Sequence, residues 1–256
     1  MSAEEKNLWI PIFREPRKCG IIGLIQGGRS IMNNTKLRQC IHYNMSLCGG
    51  FFGGYAILNR CEVFGNAQTA NMIHLAMDVI GRDVKQIAIR LIACMLYMCG
   101  TALTVIIPKY TKWNLHMISI IIDMAAVVML CFMPEEMNYV VSLYPVFFAM
   151  AFQWNVFADI CGYVSSTIFS TNNIRQMVIS FTKFVCDRKT EDLARGRFYA
   201  GVLLFYHIGV AIAYGSSKVI GLHGILVCIL PLITALFFVG RESGWFAKQS
   251  QVRRLS

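Results

Sequence analysis

Long apolar blocks separated by short polar stretches make up most of the chain. The blocks are roughly 20 residues long, which is the length that a helix needs to cross a hydrocarbon core about 30 Å thick. Their apolar residues do not alternate with polar ones, as they would along the strands of a membrane barrel. Because a backbone in lipid must satisfy its own hydrogen bonds, the pattern predicts a bundle of membrane-spanning helices.

Six of the blocks are predicted to be apolar helices, at about 39–58, 87–107, 115–133, 139–161, 198–214 and 219–239. Two further segments, at about 61–81 and 163–186, are long enough to cross but conspicuously polar. Each is expected either to span the membrane as a broken segment or to dip in and return. The predicted fold class is an all-α polytopic membrane helix bundle of eight segments, of which these two are the polar ones.

Residues in and just before the first polar segment recur in and just before the second at a constant offset of 102 positions (171 − 69 = 102). The recurring residues are Ala56, Thr69 and Asn71, which return as Ala158, Thr171 and Asn173. This predicts two internal repeats, about 39–134 and 139–240, with the stretches 69–71 and 171–173 close together near mid-membrane. An even number of crossings in each half would make the repeats parallel, and an odd number would make them inverted.

The composition agrees with a membrane protein. Hydrophobic residues make up 56% of the 256 residues and charged residues 15%, with a mean hydropathy of +0.52. Soluble domains are roughly 45–50% apolar and 25% charged. The net charge of +10 comes from Lys and Arg at the ends of apolar blocks and in the tails. We therefore expect the lipid bilayer, and no nucleic acid, as a partner; the composition is also compatible with a homo-oligomer.

Charge placement bears on the topology. The basic tails, 1–38 and 241–256, are expected to be cytoplasmic because Lys and Arg favour that side. They flank a transmembrane domain at 39–240 in a multi-pass protein of the cell membrane. Six crossings suit four loop residues, namely Lys109, Lys112, Glu135 and Glu136. Eight crossings suit Arg82 and Lys85 instead, so the number of crossings stays open.

The polar segments hold the candidate binding residues. Polar groups at membrane depth are costly unless they face a partner or water. The alternative to a binding site is hydrogen bonding between helices. Arg175 also needs an anionic ligand, a counter-charge from Asp159 or Asp78, a set of backbone carbonyls, or a route to the lipid headgroups. The substrate-binding candidates are Asn66, Gln68, Thr69, Asn71, Gln153, Asn155, Thr171, Asn173 and Arg175.

Three further residues are candidates for ion coupling. Asn71, His74 and Asp78 follow one another at helical spacing and are predicted to share one helix face. Of these, His74 and Asp78 are titratable. Asp123 lies in the middle of a very apolar helix, where it either carries a proton or cation or pairs with Arg90 on the neighbouring helix.

Motifs for enzymatic chemistry are absent from the sequence. It contains no Walker loop, G-x-S-x-G, H-E-x-x-H or dinucleotide fingerprint. Its ten cysteines are scattered without metal-ligand spacing. We therefore expect no catalytic residues, no metal site and no cofactor, and the protein is predicted not to be an enzyme.

A family resemblance rests on the run GGFFGGYAILNRCEVFGNAQTANMI together with AMAFQWNVF and STIFSTNNI. These runs resemble the YoaK-like family of bacterial integral membrane proteins, a domain-of-unknown-function family, from about residue 39 to 239. The matching residues are Gly50, Phe51, Phe64, Thr69, Asn71 and Gln153, with Asn155 displaced by one position. Gly53 and Ala70 stand where the family has an aspartate and a glycine, so an ion-coupling role for that aspartate does not carry over. The resemblance implies a bacterial cytoplasmic membrane protein.

The sequence leads to one expected function and two alternatives. The expected function is transport of a small polar molecule or ion through a site between the two halves. One alternative is a channel with paired re-entrant segments, and the other is a non-catalytic membrane scaffold or receptor subunit.

Overall fold

The structure, a computed structural model, describes residues 28–160 and 162–243. The predicted tails lie largely outside these residues. The helices are α1 (Gly28–Asn59), α2 (Thr69–Gly81), α3 (Val84–Tyr110), α4 (Leu115–Cys131), α5 (Tyr144–Val156), α6 (Thr171–Asp187), α7 (Thr190–Ile220) and α8 (Ile229–Glu242). Strands β1 (Asp159–Ile160) and β2 (Tyr163–Val164) form an antiparallel hairpin, and 3-10 turns lie at Val141–Leu143 and Gly221–Cys228. The predicted all-α class is therefore confirmed.

Two helical stretches of the described chain are long and apolar enough to cross a membrane. They are Val84–Tyr110, which is α3, and Thr190–Glu242, which contains α7 and α8. In the most apolar window of α3 only 11% of the residues are buried. Met95 and Val105 are 63% and 70% exposed. So large an outward apolar surface is unusual for a protein surrounded by water and fits a membrane protein.

The observed helix ends differ from the predicted ones where a helix continues beyond its apolar residues or stops before their end. α1 begins at Gly28 rather than at 39, and α7 begins at Thr190 rather than at 198. Polar residues continue a helix beyond its apolar part at little cost, since most of them have adequate helix propensity. α5 instead ends early, at Val156 rather than 161, because the β hairpin follows it and turns at Gly162, whose φ is 82°.

Two pairs of helices run parallel through the bundle. α1 lies along α7, with Tyr43 beside Gly201 near one end and Asn59 bonded to Ser217 near the other. Gly50 of α1 faces the carbonyl of Tyr206, and no side chain would fit between them. The backbones of α1 and α7 therefore approach closely, as small residues allow in membrane bundles.

The second parallel pair is α3 with α5. The Tyr144 hydroxyl donates to the carbonyl of Ile89 near the start of both helices, at 2.9 Å. Farther along both helices, the Asn155 side chain donates to the Thr101 hydroxyl at 3.3 Å. In addition, α4 packs on α5, α8 packs on α1, and α4 and α8 contact each other. These contacts make one continuous bundle.

The bundle has two ends, which we name after an arginine at each. At the Arg38 end, Arg38 in the first half of α1 pairs with Glu242 at the end of α8 at 2.6 Å. At the Arg60 end, Arg60 just after α1 donates to the carbonyls of Met133 and Pro134, just after α4. α1, α4 and α7 therefore run from the Arg38 end to the Arg60 end, whereas α3, α5 and α8 run back.

Candidate functional site

The chain reverses sharply after α1 and returns into the bundle. Cys61 and Glu62 both adopt left-handed backbone conformations, with φ of 50° and 59°. Non-glycine residues occupy that region only at a cost. Arg60 is 2% exposed and its guanidinium is held by the two carbonyls after α4, which fixes the turn in place. The segment 60–68 is thus directed back along α1.

Asn66 is the innermost polar residue of this first segment and is fully buried. Its side-chain nitrogen donates to the carbonyls of Gly49 and Ile168, each at 2.7 Å. Gly49 lies about 15 Å back from the end of α1, at about 1.5 Å per residue. After Asn66, helix α2 leads out to α3 at the Arg60 end. The segment therefore enters and leaves the bundle at the same end.

The second segment, 157–170, behaves in the same way from the opposite end. It follows α5, which ends at the Arg38 end, and runs inward as an extended stretch whose residues 165–168 are buried. There Ile168 meets Asn66, and α6 then leads back to α7 at the Arg38 end. The two polar segments therefore meet inside the bundle without crossing it.

Gln153 supports the second segment from α5. Its side chain is fully buried, and its nitrogen donates to the carbonyl of Met45 at 3.1 Å and to the Thr167 hydroxyl at 2.9 Å. Met45 and Gly49 lie one helical turn apart on α1. The amides of Asn66 and Gln153 thus bracket a single turn of α1, and we name these residues with Thr167 the central cluster.

A chain of hydrogen bonds links the central region to the Arg38 end. The His42 ring contacts the Ser165 hydroxyl at 2.9 Å, and that hydroxyl donates to the Asn173 side chain at 3.0 Å. The Asn173 nitrogen donates to the carbonyls of Ser166 and Phe169. Asn173 is therefore fixed by several bonds to the extended stretch.

Two oxygen atoms of the central cluster keep their acceptor capacity. The side-chain oxygens of Asn66 and Gln153 are buried and have no hydrogen-bond partner among the described residues. Buried polar atoms are rarely left unpaired in native proteins. Amide oxygens in this setting can accept a hydrogen bond from a solute or coordinate a cation.

A cavity of about 360 Å³ lies at the Arg60 end, which we name the Arg90 cavity. Its walls come from the reversal after α1, from α2 and α3, and from the residues before α5. They are Cys61, Glu62, Val63, Phe64, Ala70, Asn71, His74, Arg90 and Tyr139. Arg90 donates through Nε to Asp78 at 2.8 Å and through Nη1 to Asn71 at 3.3 Å. These bonds fix a cationic side chain in the wall.

A second cavity, of about 300 Å³, lies at the Arg38 end, and we name it the His42 cavity. It is lined by Arg38, Ile41, His42, His116, Phe157, Asp159, Ile160 and Glu242. His42 lies on α1, and Cys61 of the other cavity lies just after the end of that helix. His42 lies about 26 Å from the end of α1 at Asn59, at about 1.5 Å per residue, which is close to the thickness of a hydrocarbon core. The central cluster lies between the two cavities.

The structure separates the predicted substrate-binding residues into three groups. Asn66, Gln153 and Asn173 are buried around the meeting point of the polar segments. Asn71 faces the Arg90 cavity and donates to Gln68, whose own nitrogen is buried without a described partner. The remaining four, Thr69, Asn155, Thr171 and Arg175, are exposed.

The expected meeting of 69–71 with 171–173 is therefore not the contact that joins the segments. Thr69 and Thr171 each begin a helix that leads outward, so their side chains point away from the meeting point. The joining hydrogen bond comes from Asn66, three residues earlier, to Ile168. For Arg175 the structure likewise gives no pairing with Asp78, since that carboxylate bonds to Arg90.

The structure also places the ion-coupling candidates in two different regions. Asn71 and His74 face the same cavity, and Asn71 and Asp78 bind the same arginine, as the predicted shared face requires. Asp123 is fully buried on α4 and does not pair with Arg90. Both of its carboxyl oxygens, like the Ser119 hydroxyl one turn earlier, have no hydrogen-bond partner among the described residues. The pairing alternative for Asp123 is therefore wrong.

Sequence reasoning missed three residues that line the cavities. These are Arg90, which is expected only as a partner for Asp123, together with Glu62 and His42, which no spacing in the sequence singles out. The spacing of Asp78 and Arg90 across the short connection between α2 and α3 was the available signal. In a helical hairpin, residues at similar distances from the turn face each other.

Comparison with known proteins gives one match. The family described as Protein of unknown function (DUF1275) matches residues 41–238. No curated protein and no solved structure matches the chain. The matched range contains both polar segments and the central cluster, and it ends within α8.

Proposed function

Because the chain belongs to the family described as Protein of unknown function (DUF1275), whose description names no activity, we propose from its own geometry that it is a membrane transporter. Its solute is a small polar molecule or ion, and its site lies between two repeated halves. The observation that carries the proposal is the meeting of Asn66 with Ile168 between two cavities.

The internal repeat is supported by the position of that contact. Asn66 and Ile168 are 102 positions apart, the same offset that relates Thr69 to Thr171. Equivalent residues of two halves touch each other only near the axis that relates the halves. A hydrogen bond between equivalent positions is therefore what a pseudo-two-fold axis through the central cluster would produce.

The helix contacts support the same relation. If α1–α4 correspond to α5–α8, then the pair α1 and α7 corresponds to α5 and α3, and both pairs run parallel. Likewise α8 packs on α1 as α4 packs on α5. Arg82 and Arg188, which end α2 and α6, share a left-handed conformation. Matching contacts and matching turns favour repeats over chance identities.

We infer six crossings, and the course of the chain supports this number. α1, α3 and α4 of the first half pass through the bundle, as do α5, α7 and α8 of the second. The segments 60–81 and 157–187 enter and return, which makes them re-entrant. Three crossings per half give inverted repeats, a design that places solute sites near the bilayer midplane beside broken helices.

Charge favours a cytoplasmic Arg38 end and therefore cytoplasmic termini. The residues at or between helix ends there include Lys109, Lys112, Arg188 and Lys189, whereas Arg82, Lys85, Glu135 and Glu136 lie at the other end. Basic residues in short loops favour the cytoplasmic side. The protein is then a multi-pass protein of the cell membrane whose Arg90 cavity opens outward.

The arrangement suits alternating access. One cavity lies at each end of the bundle, and the stretch 165–168 is buried at the meeting point of the polar segments. Movement of one half against the other would expose the free oxygens of Asn66 and Gln153 to one cavity at a time. Asp123, buried without a described partner, is the candidate for carrying the coupled proton or cation.

A channel is the second candidate, because two re-entrant segments that meet mid-membrane also describe a pore lining. Reconstitution in lipid vesicles separates the two functions. Uptake of labelled amino acids, sugars and alkali cations by a transporter saturates and is accelerated by unlabelled solute on the opposite side. A channel gives unsaturated flux and single-channel currents in a planar bilayer. Absence of flux for every class, in vesicles containing folded protein, would contradict both functions.

A further inference from the structure

The Arg90 cavity contains a buried cation that its neighbours satisfy only in part. Arg90 is 6% exposed. A guanidinium carries five N–H donors, and the bonds to Asp78 and Asn71 use only two of them. Nη2 has no hydrogen-bond partner among the described residues. Since Arg90 lines the cavity, the outer edge of its guanidinium is available to a bidentate acceptor such as a carboxylate.

The charges around the cavity determine which acceptors suit it. The ion pair with Asp78 neutralises Arg90, so an added bare anion would meet no net positive charge. Glu62, which also lines the cavity, forms no ion pair with any described residue and adds a negative charge. A bare cation would be attracted to Glu62 but would leave the guanidinium donors unused.

We propose that the Arg90 cavity binds a small zwitterion, whose carboxylate is held by Arg90 and whose ammonium group is held by Glu62. Asn71 and Tyr139 add polar groups to the walls, while Val63 and Phe64 supply an apolar surface for a short carbon chain. The cavity volume of about 360 Å³ suits a molecule of amino-acid size. This inference rests on the proposed transport function and specifies its solute class.

The binding experiment uses full-length purified protein and three zwitterions of increasing length, glycine, β-alanine and γ-aminobutyrate. Acetate and methylammonium serve as the isolated anionic and cationic halves. We expect at least one zwitterion to raise the thermal midpoint and to slow the modification of Cys61, which lines the cavity. Modification of Cys186, an exposed cysteine at the end of α6, should be unaffected. Equal effects of acetate and of the zwitterions would overturn the proposal.

Glu62→Gln is the decisive variant because Glu62 is exposed, so removing its charge leaves no buried group without a partner. It should weaken zwitterion binding about tenfold or more and strengthen acetate binding, since only the ammonium contact and the repulsion of anions are removed. Glu136→Gln, an exposed glutamate at the same end, is the matched control and should leave both affinities unchanged. Unchanged zwitterion binding by Glu62→Gln would refute the assigned ammonium contact.

Arg90→Gln alone leaves Asp78 unpaired, so the double variant Arg90→Gln, Asp78→Asn removes the ion pair as a whole. It should fold and should lose zwitterion binding at least tenfold. Retention of zwitterion binding by this folded variant would also refute the proposal. Vesicle uptake then separates the two claims. Zwitterion binding without flux of any solute class leaves the binding site standing and contradicts transport. Saturable uptake of another solute class without zwitterion binding supports transport and contradicts the zwitterion site.

Discussion

Asn66 donates a 2.7 Å hydrogen bond to the carbonyl oxygen of Ile168, a residue 102 positions later in the chain. The same amide holds the carbonyl of Gly49, so one side chain joins both polar segments to the middle of α1. All these groups are buried. The meeting point therefore depends on a few polar contacts in a region that is otherwise densely apolar.

Replacing Asn66 with alanine should weaken the whole meeting point. The Gly49 and Ile168 carbonyls would lose their partner, and unpaired buried polar groups cost about 1–3 kcal/mol. We expect a lower free energy of unfolding together with reduced solute flux, measured in detergent and in vesicles. Asn155→Ala, at an exposed position on α5, is the control and should change either quantity little. Equal stability of both variants would show that Asn66 does not hold the segments together.

Asn173→Ala should also reduce stability. Removal of a side chain that only binds substrate would instead leave stability unchanged. The Asn173 side chain bonds to Ser165, to both backbone groups of Ser166 and to Phe169. Removing several buried bonds should lower the free energy of unfolding by about 1–3 kcal/mol, as measured by denaturation of the purified protein. A loss of flux with unaltered stability would identify Asn173 as a ligand instead.

Gly49→Ala tests the close approach of α1 to the second segment. A methyl group there would overlap the carbonyl oxygen of Thr167, and that backbone is fixed on both sides. We expect the free energy of unfolding to fall by about 1–3 kcal/mol, as for other overpacked sites. Gly215→Ala on α7, where no atom lies within 4 Å, should be neutral or stabilising by up to about 1 kcal/mol. If thermal unfolding shows the two variants to be alike, the close contact is wrong.

Asp123→Asn separates coupling from packing. The carboxyl group has no described hydrogen-bond partner to lose, so the isosteric amide should leave the thermal midpoint unchanged or raised. If Asp123 carries the coupled ion, solute accumulation against a gradient should stop while exchange of solute for solute continues. Ser119→Ala, one turn away, is the control for local packing and should retain accumulation. Full accumulation by Asp123→Asn would exclude the coupling role.

Much of the fold could be predicted from the sequence because length and apolarity determine which segments can be helices in lipid. The polar segments and the residues Asn66, Gln153 and Asn173 could be singled out because polar groups at membrane depth are costly unless they have a partner. Helix ends were less predictable, because α1 and α7 continue as polar helices beyond their apolar parts.

The partners of the polar residues could not be predicted because they lie far apart along the chain. The bond from Asn66 to Ile168 depends on how two re-entrant segments are placed, which no local pattern specifies. The choice of Asp78 over Asp123 as the partner of Arg90 depends on the hairpin of α2 and α3, whose facing residues are close together. Local chemistry indicated which groups need partners, and only the packing of helices determined which ones they obtain.

The orientation of the two cavities tests the central claim most directly. Cys61 lines the Arg90 cavity, and Asp159 lines the His42 cavity. In a background without other cysteines, one protein would keep Cys61 and a second would carry Asp159→Cys. A membrane-impermeant maleimide would be applied to intact cells and to inside-out vesicles. Inverted repeats with two re-entrant segments predict that Cys61 reacts only from outside and Asp159→Cys only from the cytoplasmic side. Labelling of both positions from the same side would contradict that arrangement.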